Sequence, residues 1–398
     1  MRNARIAFNT CARNMLKAPE TKIGFARRDG RLCDDASTLK VCGKSPRMSS
    51  LKCIADCLRI DLKSLWHYVV NVHEVKKFSL GADDDGRRAD RIVRKTLKNI
   101  PLSLIYRLFR EGKIKKNGLT AEASERVHSG DFMEIIGLDD TAFKKNPPRN
   151  KEFSARSIDE QPSVIWQNEH LIAMHKPRGM LTHDGEASLD AFVYSLLKDN
   201  LSPSVSFLPG PLHRLDRNTS GIIIFSKTRL GAEKFSSAIR RREVQKLYLA
   251  LVEGTMDGPL RLQDTIERNR KAHVSVLNQD GKGGRLAVMD AIPLFARERY
   301  TLVLVDLHTG ITHQIRAQLA THGFPLAGDM KYGGSPLPLQ AGYFLHAYSL
   351  RMEHPVFEDM PHSLIAPLPE LFGKTVASIF ELDYHDLYKT MQRLTEDI

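Results

Sequence analysis

The sequence predicts an α+β protein: a small α+β module toward the N-terminus and, after it, a larger unit built on a mixed, mostly antiparallel sheet. Three observations carry this. Runs of β-forming residues recur after residue 161, and the segments between them are too short for the helical crossovers that parallel strands need. Between residues 87 and 110 apolar side chains instead recur at helical spacing, in two successive groups. Two turn pairs, Asn117-Gly118 and Ser129-Gly130, follow that stretch, each flanked by extended residues.

At 398 residues, with about 150 per domain as a prior, the chain is long enough for two or three domains. Hydrophobic residues make up 42% and charged residues 27%, ordinary for a soluble chain. No apolar run is long enough to span a bilayer, so no membrane association is expected. Lys and Arg number 59 against 47 Asp and Glu, a formal charge of +12. Such an excess favours a polyanionic partner through counterion release, most simply a nucleic acid. A basic but inert surface is the alternative.

Residues 1–75 remain unassigned. All five cysteines (Cys11, Cys33, Cys42, Cys53, Cys57) lie there, without the paired spacing of a zinc site, and a reducing, cytoplasmic setting follows. The first 28 residues carry seven basic residues against the single acid Glu20, which fits an organelle transit peptide. It equally fits a start codon assigned too early, with Met48 a later candidate, and that second reading is preferred. Only "IADCLRIDLKSLWHYVV" at 54–70 reads as a short helix in a segment otherwise expected to be disordered.

The small module is expected over 76–137. Ile92, Val93 and Leu97 define a first helix; Leu104, Ile105, Leu108 and Phe109 define a second, with Pro101 and Ser103 where it should begin. A small sheet should then pack on the pair. Arg87, Arg88, Arg91, Arg94, Lys95, Lys98, Arg107, Arg110, Lys113, Lys115 and Lys116 make a dense cationic patch suited to phosphate contacts, which fix position on RNA without reading sequence. The alternative is a solvated helix face. Residues 138–160 are polar, contain two prolines and read as a linker.

The large domain is expected over 161–398. "SVIWQNEHLIAMHKPRGMLTH" gives two strands around an Asn-Glu turn, "SLDAFVYSLLK" a helix, and "GIIIFSKT" and "KLYLALVEG" buried strands. Further strands are expected at 285–294, 299–307 and 343–352.

Within it, "PLHRLDRNTSGIIIFSKT" at 211–228 sets one carboxylate between two arginines. In an extended "LHRLD", Arg214 and Asp216 project the same way, about 7 Å apart. An ionised carboxylate beside a cation can serve as base, nucleophile or metal ligand. Asp followed by "RNTSG" can equally be an Asx turn leading into a strand, and the residues alone leave the two readings level. A kinase loop is excluded by Leu215, which breaks the His-Arg-Asp order. His308, His313 and His322 lack acidic partners at metal-site spacing, so no metal is expected and hydrogen-bonding roles are.

"HRLDRNTSGIIIFSKT" closely resembles the signature of the RluA-type pseudouridine synthases, and "HKPRGMLTH", "QKLYLALVEG", "LHTGITHQIRAQLATHGFPLAGDMKYG", "FLHAYSLRMEHP" and "APLPELF" agree in order, over roughly 161–375. The order of the basic helix pair and "GKIKKNG…GD" is similar to the S4-like RNA-binding domain that precedes many of that family's ribosomal RNA enzymes. The resemblance implies a pseudouridine synthase fold. It makes Asp216 the catalytic aspartate, Tyr248 the active-site tyrosine, Arg316 their basic partner and Arg214 the residue that fills the gap left by a flipped base. It implies no cofactor, because isomerising uridine is redox-neutral and needs no external group. The expected partner is RNA, most simply large-subunit (23S) ribosomal RNA, with no obligate protein partner. Alternatives are a catalytically silent RNA-binding assembly factor and a synthase acting on tRNA. One departure is Arg178 in "HKPRGM", where many relatives carry a smaller or polar residue.

Overall fold

The computed structural model describes residues 75–389 except 98–99, 139–141, 144–159, 186, 202–203, 270–271, 273, 279–282, 338–341, 384 and 388. The cysteines, the helix expected at 54–70 and most of the expected linker lie outside these residues.

The first unit opens with strand β1 (Val75–Ser79) and a single 3-10 turn (Ala82–Asp84). Helices α1 (Ala89–Thr96) and α2 (Leu102–Arg110) and strands β2 (Ile114–Lys116), β3 (Leu119–Thr120) and β4 (Phe132–Ile136) follow. The helices fall where the apolar spacing puts them. Ile92, Val93, Ile105, Leu108 and Phe109 share one core with Ile114, Met133 and Ile135 of the sheet. That sheet runs β1-β4-β2-β3. Asn117 and Gly118 close the β2–β3 hairpin with φ of 51° and 83°, the two positive values that an Asn-Gly turn supplies at least cost. Phe143, beyond β4, returns to this core and bridges Leu97.

The second unit contains β5 (Ser163–Gln167), β6 (Leu171–Lys176), α3 (Leu189–Leu197), β7 (Gly210–Pro211), β8 (Ser220–Ser226), α4 (Arg229–Arg241) and β9 (Gln245–Glu253). It continues through β10 (Leu260–Asn269), β11 (Val274–Leu277), β12 (Arg285–Arg297), β13 (Tyr300–Leu307), α5 (Gln314–Thr321), β14 (Leu345–Arg351), β15 (Ser363–Ile365) and α6 (Glu370–Phe380). Its strands form one 11-stranded sheet, ordered β11-β10-β12-β13-β9-β14-β8-β6-β5, with β7 beside β8 and β15 beside β14. Every pairing is antiparallel except β8 with β14, so the fold is α+β on a mixed, mostly antiparallel sheet.

Both faces of the central strands are covered, which explains why "KLYLALV" shows no polar alternation. Tyr248, Ala250 and Val252 of β9 face one core with Ile315 and Leu319 of α5; Leu247, Leu249 and Leu251 face another with Phe372, Val376 and Phe380 of α6. The parallel β8–β14 contact is unusually close at Gly221. A Cβ there would lie 2.2 Å from the Ala347 carbonyl, and φ is 115°, so only glycine fits the "TSG" position.

A buried carboxylate joins the units. Asp84, fully buried, accepts from Ser204 Oγ and from the Val205 and Ser206 N–H groups, each at 3.0 Å. Arg87 Nη1 donates to Ser206 Oγ at 2.7 Å, and Asp83 accepts the N–H of Arg229, first residue of α4, at 2.7 Å.

Candidate active site

Asp216 sits in the loop that feeds β8, and two neighbouring segments hold that loop in place. Thr182 Oγ1 donates to the Leu215 carbonyl at 3.0 Å. Lys176 Nζ, fully buried, donates to the carbonyls of Pro177, Met180 and Arg217 at 3.0, 2.8 and 3.1 Å. Burial pulls the Lys176 pKa down to about 7, with Asp216 opposing. His213 accepts the Ile224 N–H through Nε2 at 3.0 Å, and burial lowers its pKa to about 4, so it stays neutral and shapes the loop. The expected extended "LHRLD" is irregular loop rather than strand: Leu212 N–H still bonds the Ile224 carbonyl of β8, but both backbone groups of Leu215 bond Thr182 Oγ1 instead. Arg214 and Asp216 nonetheless line one cavity of about 440 Å³, with Leu215 between them buried.

The Asx-turn alternative does not describe the carboxylate. The turn is closed by the backbone, Thr219 N–H to the Asp216 carbonyl at 3.1 Å, while Asp216 Oδ2 faces Arg316 Nη1 at 3.2 Å. Tyr343 Oη lies 3.5 Å and His313 Nε2 3.6 Å from the same oxygen; none of these contacts reaches Oδ1.

Arg316, expected as the partner of Asp216, is held mainly by a second carboxylate. Its Nε and Nη2 donate to Asp329 at 2.7 and 2.9 Å, a two-pronged grip with both side chains almost wholly buried. Burial opposes the Arg316 charge, but the bond to Asp329 and the electrostatic pull of the Tyr343 hydroxyl and of the Asp329 and Asp216 carboxylates more than offset it, and the pKa is raised. The guanidinium also lies against two aromatic rings, 4.2 Å from the Tyr343 centroid and 4.8 Å from that of Tyr332. Arg316 is thereby oriented before any substrate arrives.

His313, with φ of 58°, precedes α5 in the left-handed region, a strained setting for a non-glycine residue. Its Nδ1 is 2.9 Å from Tyr332 Oη, and that oxygen already accepts the Ser275 N–H at 2.8 Å. With Tyr332 donating to Nδ1, the His313 proton sits on Nε2, on the Asp216 side. Burial pushes the His313 pKa down to about 4 against the pull of Asp216.

Tyr248 is brought near but not into the cavity wall. It is 8% exposed, sits in the core below, and its pKa is raised first by burial and then by the Asp216 charge. The tyrosine that lines the cavity is Tyr343, its pKa raised by burial and by Asp216. Sequence reasoning missed Asp329, Tyr332, Tyr343 and Lys176. Asp329 and Tyr332 stand in the "LAGDMKYG" segment, yet nothing in their spacing from Arg316 signals contact.

The cations expected to hold RNA fall into two groups. Arg87 is turned into the junction. Arg88 pairs with Asp90 at 3.1 Å, Arg107 and Lys113 with Glu111 at 2.7 and 2.9 Å, and Lys116 with Glu125. Among the described residues, Arg91, Arg110 and Lys115 have no carboxylate within ion-pair distance. No group of three metal-ligating side chains occurs among the described residues.

Residues 170–321 match the family model described as RNA pseudouridylate synthase. Ribosomal large subunit pseudouridine synthase C of Vibrio vulnificus (strain CMCP6) is 31% identical over 316 residues, covering 77% of this chain and 97% of the relative. The enzyme of the same name from Haemophilus influenzae (strain ATCC 51907 / DSM 11121 / KW20 / Rd) is 32% identical over 294 residues, 71% of this chain and 88% of the relative. Among solved structures, human RNA Pseudouridylate Synthase Domain Containing 1 aligns over 53% of this chain and 84% of its own, at 22% identity and a TM-score of 0.44. With a relative covered almost end to end, and with the matched residues spanning Asp216, Tyr248 and Arg316, the chain belongs to the RluA-type family of RNA pseudouridine synthases.

Proposed function

We propose that this enzyme converts specific uridines of large-subunit (23S) ribosomal RNA to pseudouridine, with Asp216 as the catalytic carboxylate. The observation that carries the reading is the convergence of Arg316, Tyr343 and His313 on Oδ2 of Asp216, a carboxylate that lines the cavity. The reaction breaks N1–C1′, turns the base and forms C5–C1′; the proton at C5 leaves as one is gained at N1. One carboxylate suffices for this, taking the C2′ proton to give a glycal or attacking C1′ as a nucleophile, and the glycal route is preferred. Arg316, fixed by Asp329, orients Asp216 throughout. Tyr248, outside the cavity wall but near enough for the Asp216 charge to raise its pKa, serves proton movement at C5.

The target base must leave its stack before Asp216 reaches the sugar. Arg214, exposed on the cavity rim, replaces it, since a guanidinium stacks like a base and carries charge toward phosphates. The N-terminal unit acts as an S4-like RNA-binding domain, with Arg91, Arg110 and Lys115 available to phosphate and Arg88, Arg107, Lys113 and Lys116 beside them. Docking through Asp84 and Arg87 sets its distance from the cavity. Among the described residues no helix is long and apolar enough to cross a membrane, and a cytoplasmic enzyme working on ribosomal RNA accords with that.

The test is tritium release from 5-tritiated uridine in large-subunit ribosomal RNA transcripts. Wild type should release it and Asp216→Asn should not, while binding the same RNA with nearly unchanged affinity. Turnover by Asp216→Asn near the wild-type rate would overturn the assignment of the carboxylate.

A further inference from the structure

A second concavity of about 470 Å³ opens beside the catalytic one, and Arg214 lines both. Its other walls come from β10, β11, the start of β12 and the segment just before α5. The strand register explains what gathers there. Ile266 of β10 pairs with Arg285 of β12, and Arg268 of β10 pairs with Ser275 of β11. Directly opposed residues share a face, as do residues two apart, so Ile266, Arg268, Ser275 and Arg285 all project from one side of the sheet. That side is the one against which α5 packs, through the cluster of Ile266, Ala287 and Ala317. The arginines emerge where the helix cover ends.

Charge and position both single out this groove. Arg268 and Arg285 are exposed, and among the described residues neither they nor Arg214 have a carboxylate within ion-pair distance. Glu267 also borders the groove, but between Ile266 and Arg268 on β10 its side chain projects from the opposite face of the sheet, where it accepts from Asn278. Unneutralised guanidinium groups crowded on one wall repel one another and are stabilised by an anion bridging them. The groove also touches the reacting centre: the Ser275 N–H on its wall bonds Tyr332, which holds His313 beside Asp216.

We propose that this groove binds the sugar-phosphate backbone of the single-stranded RNA flanking the target uridine, with Arg268 and Arg285 as its phosphate ligands. The proposal rests on the RNA-modifying reading above and deepens it. The strand runs from the catalytic cavity, past Arg214 at the shared rim, onto the face of β10–β12, so the flipped nucleotide is held from its phosphates as well as its base. An anchor this close fixes register at the target, which a patch on the separate N-terminal unit does not.

The experiment is a salt titration of binding between the full-length protein and a fluorescein-labelled oligouridylate, read by anisotropy. On a single strand, removing one phosphate ligand lowers the slope of log affinity against log salt by about 0.7, so Arg268→Ala/Arg285→Ala should lower it by about 1.4. Arg268→Lys/Arg285→Lys should keep most of the slope, since a point charge serves a phosphate, and a melting curve matching wild type would show the alanine variant folded. An unchanged slope in a folded alanine variant overturns the proposal. Displacement of the probe by polyglutamate as effectively as by unlabelled oligouridylate would also overturn it, in favour of an acidic-peptide site. Tritium release by the wild type, measured in parallel, tests the isomerase reading by itself, so failure of either is visible without the other.

Discussion

Arg107 in the small unit and Arg316 in the large one each hold a carboxylate through Nε at 2.7 Å, yet they do different work. The first pair, with Glu111, lies in solvent; the second, with Asp329, has side chains only 7% and 2% exposed. Equal distances therefore conceal unequal roles. In water the Arg107 pair is screened and free to exchange partners, so it fixes neither side chain firmly. Around Arg316 the field is poorly screened, the donors are used bidentately and the rings of Tyr332 and Tyr343 pack against the group, so the guanidinium is held in a fixed orientation toward Asp216.

The largest effect should come from breaking the buried arrangement. Arg316→Lys supplies charge without the fork, so Asp216 loses its fixed partner and single-turnover tritium release should fall about 100-fold, with RNA affinity changed far less. A lysine variant of wild-type rate would show that orientation is not what Arg316 provides. Next is the junction. Asp84→Ala leaves the Val205 and Ser206 N–H groups buried without an acceptor, at a cost on the order of 2 kcal/mol, roughly a 30-fold loss of hydrogen-exchange protection at those amides. Protection equal to wild type would mean that the carboxylate does not clamp the two units.

Acid should act on the large unit. Burial lowers the pKa values of His175, His213 and His313 to about 4 and of His346 to about 3, below the ordinary value of about 6.5. The unfolded chain then binds more protons than the native one within that window, so the stability these residues contribute is present above about pH 6.5 and is lost as pH falls toward 4. Melting temperatures across a pH series should decline through that range; a flat profile would contradict burial of the neutral rings. The smallest effect is expected from Glu111→Gln. It should leave the melting temperature unchanged while freeing Arg107 and Lys113, raising RNA affinity slightly and steepening its salt dependence by less than about 1 unit. A weaker binder would show that Glu111 orders the patch rather than restraining it.

Much of this architecture was legible in local sequence, because periodicity and turn chemistry act within a few residues. Ile92, Val93, Ile105 and Leu108 mark helices whichever partner they pack on, Asn117-Gly118 closes its hairpin by its own backbone preferences, and the apolar runs at 221–228 and 246–254 announce strands covered on both faces. Asp216, Tyr248 and Arg316 were reached by the resemblance of their motifs to a family signature rather than by local physics, which left the Asp216 carboxylate level with an Asx turn. What surrounds them did not follow from spacing. Tyr343 lies 127 residues from Asp216 and meets it because β8 and β14 pair in parallel beside Gly221. Arg87 reads as one more basic residue of a helical patch, and only the docking of the two units turns it toward Ser206. Arg268 and Arg285 carry no signal in the chain, since a shared face exists only once β10 has chosen its register on both sides. Local sequence determined which segments form helices and strands and which loop bears the carboxylate, whereas long-range register decided which charges are neutralised, which are buried and which are left to meet RNA, because electrostatic role depends on neighbours that only tertiary packing assembles.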